Sequence, residues 1–389
     1  MLRVLTLSTL YPDSGRPSFG LFVERQTLAL AARAGVEVEV VAAVGLPLWP
    51  LTLHPHYRAR SLLPTRESRH GLAVHRPRFR VWPGQSGTGA ARALAAAALP
   101  VARGLACDVI DAEFFWPDGV AAMHLAAALG LPFSVKARGS DIHLWGQRPE
   151  IAAQMLEAAR RAGGLLAVSA ALKRDMAAMG MPEDKIQVHH TGIDLERFRP
   201  LEREAAKRGL GVTGPLIVTP GNLVPLKGQR LAIEALADVP GATLLIAGEG
   251  PERPRLEALI AARGLGGRAR LLGSVPPEAM PELLAAADLM LLPSEREGLA
   301  NVWIEALACG TPILIADVGG AREVLDRPEA GRLVAREPAE IAAAAREMLA
   351  SPPDPLAVRR AAERFSWERN AAELNEHLAG VAKSRGGIS

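Results

Sequence analysis

Apolar residues recur along this chain in two rhythms. Short, nearly unbroken runs alternate with longer stretches in which apolar positions follow helical spacing. "RVLTLST" (3–9) and "VEVEVVAAV" (36–44) are runs of the first kind, and "GLFVERQTLALAARAG" (20–35) between them has helical spacing and stops at Gly35. A strand, a helix and a second strand in that order dictate parallel strands. "DVIDAEF" (108–114), "PFSVKA" (132–137) and "GLLAVS" (164–169) continue the series, with alanine-rich helical stretches between them. The segment from Leu46 to Ser86 breaks the rhythm, being rich in Pro, Arg and His, and is expected to be a long insertion facing solvent or a partner.

The rhythm resumes in the second half. "PLIVTPG" (215–221), "ATLLIAG" (242–248), "ARLLGS" (269–274), "LMLLPS" (289–294) and "PILIAD" (312–317) predict further strands, each followed by a helical pattern. Between the two series, "RFRPLEREAAKRGLGVTG" (197–214) is charged and then punctuated by glycine, as an interdomain linker would be. The expected organisation is an N-terminal domain over 1–200 and a C-terminal domain over 214–365. A final helix over 366–389 either completes the second domain or crosses back to the first. The fold class is therefore α/β, with two doubly wound domains whose strand ends face a shared central cleft.

Composition narrows the function classes. At 389 residues two cores are the natural expectation. Half the chain is apolar (49%) and 22% is charged, as in ordinary soluble proteins. A net charge of +3 is too small to suggest a nucleic-acid partner. Its distribution says more, because His54, His56, Arg58, Arg60, Arg66, Arg69, His70, His75, Arg76, Arg78 and Arg80 crowd one stretch. Cys107 and Cys309 are distant from each other and lack metal-ligand spacing, which fits a reducing compartment. "MLRVLTLSTLYP" has the pattern of a first strand, not of a signal peptide, and no stretch is expected to span a bilayer. A cytoplasmic protein is expected.

Candidate chemistry concentrates in "SEREGLANVWIEALACGTP" (294–312), where Glu297 and Glu305 flank a short apolar run. Pro293 and Ser294 end a strand, "EREGLA" is a loop, and Asn301 starts a helix stopped by Gly310 and Pro312. Glu297 then sits on the loop and Glu305 about one turn inside the helix. The free amides of Leu299, Ala300, Asn301 and Val302 lie at the positive helix end, a setting suited to phosphate. Glutamates in first helical turns also serve as caps and dipole partners, so the neighbouring loops decide. "PGNLVPLKGQ" (220–229) places Lys227 in a turn before the next helix, "AGEGPERPRL" (247–256) adds a glycine turn, and "GSVPPEAM" (273–280) offers backbone where a base could lie. The G-x-G of the second lacks the full dinucleotide fingerprint.

Taken together, these segments resemble glycosyltransferase family four over nearly the whole chain. The family's E-x7-E motif appears as Glu297 to Glu305, accompanied by "GNLVPLKG", "IAGEGPER", "LLGSVPPEAM" and "DVGGAREVL" in the family's order. "GVEVEVVA", "AVSAALKRDM" and "HTGIDLERFRP" match in the first half. The resemblance implies the two-domain GT-B fold and retaining transfer that needs neither metal nor cofactor, with a nucleotide diphosphate sugar as donor. By the same resemblance Glu305 would bind the ribose and Glu297 the donor sugar near its reacting carbon. The amides of Gly298 to Asn301 would contact sugar and diphosphate, and Lys227 would neutralise the leaving charge. Gly20 matches the family's glycine where backbone approaches donor phosphate or acceptor.

Two positions depart from the family. Asn222 stands where an arginine is common in the phosphate motif, so phosphate binding leans on Lys227. Arg138, in "KARGSDIHLWG" (136–146), stands where histidine is common. It either replaces the lost cation at the diphosphate or pairs with Asp141. Ser169 suits a helix cap, Trp116 and Trp145 suit core aromatics at strand ends, and His124, His143, His189 and His190 show no ligand spacing.

The function expected is sugar transfer from a nucleotide diphosphate sugar to a glycan or lipid-linked acceptor, in the branch that builds surface polysaccharides. A nucleotide-sugar epimerase of the same architecture and a non-catalytic sugar-nucleotide-binding protein are the alternatives. The His54–Arg80 stretch is expected on the acceptor side, as a peripheral contact to an anionic membrane on its inner face.

Overall fold

A computed structural model of the chain describes residues 1–17, 19–81 and 87–383. Ser86, the expected end of the irregular segment, and residues 384–389 of the expected final helix lie outside them. The chain forms two compact units: Met1–Gly192 with the chain from Trp367 onward, and Ile193–Ser366.

The strands of the first unit are β1 (Leu2–Leu7), β2 (Val36–Val41), β3 (Val44–Leu46), β4 (Arg66–Arg69), β5 (Leu72–His75), β6 (Arg78–Arg80), β7 (Val109–Ala112), β8 (Phe133–Ala137), β9 (Gly164–Ala167) and β10 (Ile186–Val188). Eight of them make one sheet in the order β10-β9-β8-β7-β1-β2-β5-β4. It is parallel except for the antiparallel β4–β5 pair. β7, β8 and β9 are buried along their whole length, which is why they show as unbroken apolar runs in the sequence.

The segment after Leu46 is not the solvent-facing insertion its composition suggests. β5 pairs with β2 in the main sheet, and Leu72 and Val74 enter the core beside Val4, Val38 and Val40. Its basic residues are largely committed to partners. Arg69 is 2.8 Å from Glu24, His75 is 2.9 Å from Glu39, and the buried Arg76 donates through Nε to Glu67 at 2.8 Å. The expected free basic surface from His54 to Arg80 therefore shrinks to part of that stretch.

The helix Trp367–Lys383 belongs to the first unit, where Leu374, Leu378 and Val381 pack into the core with Val4, Val23 and Leu30. Gly164 permits this seating, since a Cβ there would meet the His377 ring.

The second unit contains β11 (Leu216–Pro220), β12 (Thr243–Ala247), β13 (Ala269–Gly273), β14 (Leu289–Leu292), β15 (Ile313–Ile315) and β16 (Gly331–Leu333). They form a wholly parallel sheet in the order β13-β12-β11-β14-β15-β16. The strand order reverses between β11 and β14. The charged 197–214 segment is not a linker but part of this unit. Its helix Arg203–Gly209 is anchored by Lys207, 2.7 Å from Asp288, and Arg203 donates to the Gly310 carbonyl at 2.9 Å. The charges that imitate a solvated linker are the contacts that dock it.

Candidate functional site

In a doubly wound sheet, ligands bind outside the carboxyl ends of the strands where their order reverses. In the second unit that point lies between the loop after β11 (221–228) and the loop after β14 (293–300). Backbone joins the two directly: the Glu295 N–H donates to the Leu226 carbonyl at 2.7 Å. Gly228 has φ 74°, and a Cβ there would collide with the Pro293 carbonyl, so this close approach needs glycine.

Lys227 closes a single 3-10 turn, Pro225–Lys227, and its Nζ lies 2.6 Å from Glu297 Oε1. The two side chains are 22% and 10% exposed, so the ion pair is sheltered yet open to an entering ligand. Glu297 is braced from its other side by the loop after β15. The Gly320 N–H donates to the Gly298 carbonyl at 2.7 Å, and Gly319 lies against the Glu297 carbonyl with no room for a Cβ.

The helix Asn301–Ala308 follows, fixed by its buried Trp303 and Ile304. Burial of each such side chain contributes roughly 1.5–3 kcal/mol. No described side chain caps it at Ala300, so its first amides keep their positive end for another acceptor. Leu299 is buried beneath the loop, whereas Ala300, Asn301 and Val302 are half-buried. Glu305 is half-buried one turn on, four positions from Asn301 and so on the same helix face. Asn222 is exposed, and its carbonyl accepts from the buried Gln229 Nε2 at 3.0 Å. Lys227, Glu297, Gly298 and the helix start are thus brought together as the sequence expects.

Several supporting residues were not foreseen. Gln229 holds the Asn222 loop, Gly319 and Gly320 brace Glu297, and Arg336 Nε donates to the Pro293 carbonyl at 3.0 Å. Only "DVGGAREVL" signalled any of them, through its paired glycines directly after a strand.

The first unit reverses its strand order between β1 and β7, and there the arrangement is different. Gly20 caps the helix Leu21–Ala31 with φ 71°, its backbone pressed against the Leu10 carbonyl where a Cβ would clash. Arg138 stacks over Phe22, 4.7 Å from the ring centre. Its guanidinium pairs with the fully buried Glu113, not with Asp141, which instead accepts the Arg138 backbone N–H at 3.0 Å. The expected pairing with Asp141 is corrected accordingly. Arg138 Nη1 is buried and finds no acceptor among the described residues.

Around this pair is a buried polar network that no motif announced. Gln26 donates to Glu113 and accepts from Lys136 Nζ at 2.7 Å. Lys136 also donates to His189 Nδ1 at 2.8 Å, while His189 Nε2–H donates to the Asn370 carbonyl at 2.9 Å, which fixes its tautomer. Burial pushes the Lys136 ammonium down to about 7, helped by Arg138. Burial also pushes Asp111 well above the usual carboxylate range, with Glu113 adding to it. For Glu113 burial acts upward, but Arg138 and Lys136 outweigh it and hold the carboxyl low. Ser169 accepts from the Leu172 N–H at 3.1 Å as a helix cap, and Trp116 is buried.

Comparisons with known proteins agree on kinship. Residues 22–197 match the family described as Glycosyltransferase Family 4, and 202–365 match the family described as Glycosyl transferases group 1. The chain is 32% identical over 343 residues to the putative teichuronic acid biosynthesis glycosyltransferase TuaC of Bacillus subtilis, covering 84% of each chain. Among solved structures, sucrose-phosphate synthase of Thermosynechococcus elongatus is similar with a TM-score of 0.80 at 20% identity, covering 99% of this chain and 100% of that one. HepE of Anabaena, solved with UDP-glucose, gives 0.74 at 22% identity over 97% of this chain and 100% of that one. At these identities the two structures speak for the GT-B fold alone.

Proposed function

The chain belongs to glycosyltransferase family four, and from that premise we propose that it moves a sugar from a nucleoside diphosphate sugar, with retained anomeric configuration, to a glycan or lipid-linked acceptor of surface polysaccharide synthesis in the cytoplasm. The observation that carries the donor assignment is the Lys227–Glu297 pair at the strand-order reversal, beside an uncapped helix end. An entering diphosphate would draw Lys227 Nζ from Glu297 Oε1 and take the amides at 298–301. Lys227 and the helix end then hold the charge that grows on the leaving diphosphate. Glu297, released from its partner, is placed to hold the sugar, and Glu305 the ribose. Kinship to TuaC, named for teichuronic acid biosynthesis, supports the surface-polysaccharide acceptor. The UDP-glucose bound by HepE makes uridine donors the first to test. Arg138, in the first unit, supplies a cation whose free Nη1 is suited to an anionic oxygen of a substrate.

The test is a thermal-shift series of nucleoside diphosphates and their sugars, followed by product analysis. A ligand at a hundred times its Kd stabilises the native state by about 2.7 kcal/mol, readily seen as a raised midpoint. One nucleoside diphosphate is expected to raise the midpoint, and its sugar to yield an acceptor glycoside of unchanged anomeric configuration. Transfer is expected to persist in excess EDTA, since Lys227 and the amides carry the compensating charge. An isomerised sugar nucleotide without transfer, or activity lost to EDTA and restored by magnesium, would overturn the proposal.

A further inference from the structure

We infer that the first unit carries a docking surface for an anionic lipid bilayer, made by residues 48–66 with Arg80. It is smaller than the basic stretch expected from the sequence, and it stands independently of the donor assignment.

The first observation is apolar exposure. Trp49 and Leu62 are each 77% exposed and Leu53 62%, with Leu48 and Leu51 also in solvent. Exposed large apolar side chains scattered singly are normal, whereas a run of them between two neighbouring turns is not. The second is order. Leu51–Leu53 form a 3-10 turn and Pro55–Ser61 a helix. Leu63 is buried beneath them, and its carbonyl accepts from the Arg78 guanidinium, which also donates to the Arg76 carbonyl at 3.1 Å. The β3–β6 pairing sets Arg80 opposite Leu46, at the edge from which the patch begins. These side chains are held in solvent by a folded platform.

The third observation is charge. From Leu46 to Arg66 the chain has Arg58, Arg60 and Arg66 and neither Asp nor Glu. Arg58, Arg66 and Arg80 are exposed, whereas Arg69 and Arg76 are held in ion pairs and cannot contribute. A tryptophan and leucines bordered by arginines match the two layers of a bilayer surface. The apolar side chains enter the headgroup–acyl boundary, and the guanidiniums remain at the phosphates. No helix among the described residues is long and apolar enough to cross a membrane, so attachment would be to one surface.

Co-sedimentation of the full chain with vesicles of phosphatidylcholine alone, or of phosphatidylcholine with phosphatidylglycerol, tests this. Binding is expected only with the anionic lipid, weakening with salt, together with a blue-shifted tryptophan emission that disappears in Trp49→Phe. Arg58→Gln/Arg66→Gln/Arg80→Gln should lower partitioning on the order of a hundredfold at low salt, about fivefold per charge. Leu53→Ser/Leu62→Ser should lower it at least on the order of tenfold through lost apolar burial. Both variants should keep the wild-type thermal midpoint and nucleotide binding, which separates a docking defect from misfolding or a wrong donor assignment. No binding to anionic vesicles, or binding unmoved by either variant, overturns the inference. So does concentration-dependent dimerisation in sedimentation velocity that Leu53→Ser/Leu62→Ser abolishes in a protein that ignores vesicles.

Discussion

Both units reverse their strand order in the middle of a parallel sheet, but they treat the resulting crevice in opposite ways. In the second unit the crevice is lined by backbone. Glycines at 228, 319 and 320 let three loops touch, and one sheltered ion pair, Lys227–Glu297, is left for a ligand. In the first unit the crevice is filled by side chains: Gln26, Glu113, Lys136, Arg138 and His189 are bonded into one network with little solvent. A crevice of exposed amides and a loosely sealed ion pair can be reorganised by a substrate at small cost. A buried network cannot, because each member is held by the others. The first arrangement suits binding and turnover, the second fixed positioning of Arg138.

The comparison is broken most severely at Glu113. Glu113→Ala removes the anion that compensates Arg138 and Lys136, and stranding a buried charge costs about 3–5 kcal/mol. Hydrogen exchange should show the first unit opening while amides of β11 to β16 keep their protection. Loss of protection spread evenly over both units, or none, would mean that the network is not what holds the first crevice.

In the second unit the same kind of deletion should act on rate instead. Glu297→Ala is expected to lower turnover by about 10²–10³-fold while changing stability by no more than about 1 kcal/mol, since the pair is partly exposed. Lys227→Ala should weaken a nucleoside diphosphate selectively over the bare nucleoside. Equal loss for both ligands, or a Glu297 variant that unfolds like the Glu113 one, would erase the contrast between the units.

The two crevices also differ in how far they could be foreseen from residues. The second was legible because each part is local. A strand's apolar run ends, and the lysine, glutamate or glycine follows within a few positions, as in "GNLVPLKG" and "SEREGLAN". The first was not, because its partners are far apart: Lys136 to Gln26 spans 110 residues, and Glu113 to Arg138 spans 25. Lys136 and Asp111 were visible only as charges inside otherwise apolar strands. The β4–β5 hairpin was hidden for a related reason. Arg66, Arg69 and His75 dominate its composition, although Leu72 and Val74 alternate on the face it buries. In the 197–214 segment, salt bridges to Asp288 turn linker-like charge into docking contacts.

The smallest expected effect concerns pH and the helix that returns to the first unit. His377 Nε2 lies 2.8 Å from Ser134 Oγ and its Nδ1 3.1 Å from Gln187 Oε1. Burial, with Lys136 as a nearby cation, pushes the imidazole down to about 4 from its usual 6.5. The folded state therefore refuses a proton that the unfolded chain accepts between those values. By linkage this contribution is present above pH 6.5 and is lost as pH falls toward 4. Over the whole window it amounts to at most about 3 kcal/mol. His377→Gln can keep hydrogen bonds to both neighbours while losing the titration. Urea unfolding of the first unit, followed by hydrogen exchange in the helix Trp367–Lys383, should fall less steeply with acid in the variant than in the parent. Identical acid profiles would assign the sensitivity to other groups, such as the Glu113 carboxylate, whose low value likewise makes stability fall when it is protonated.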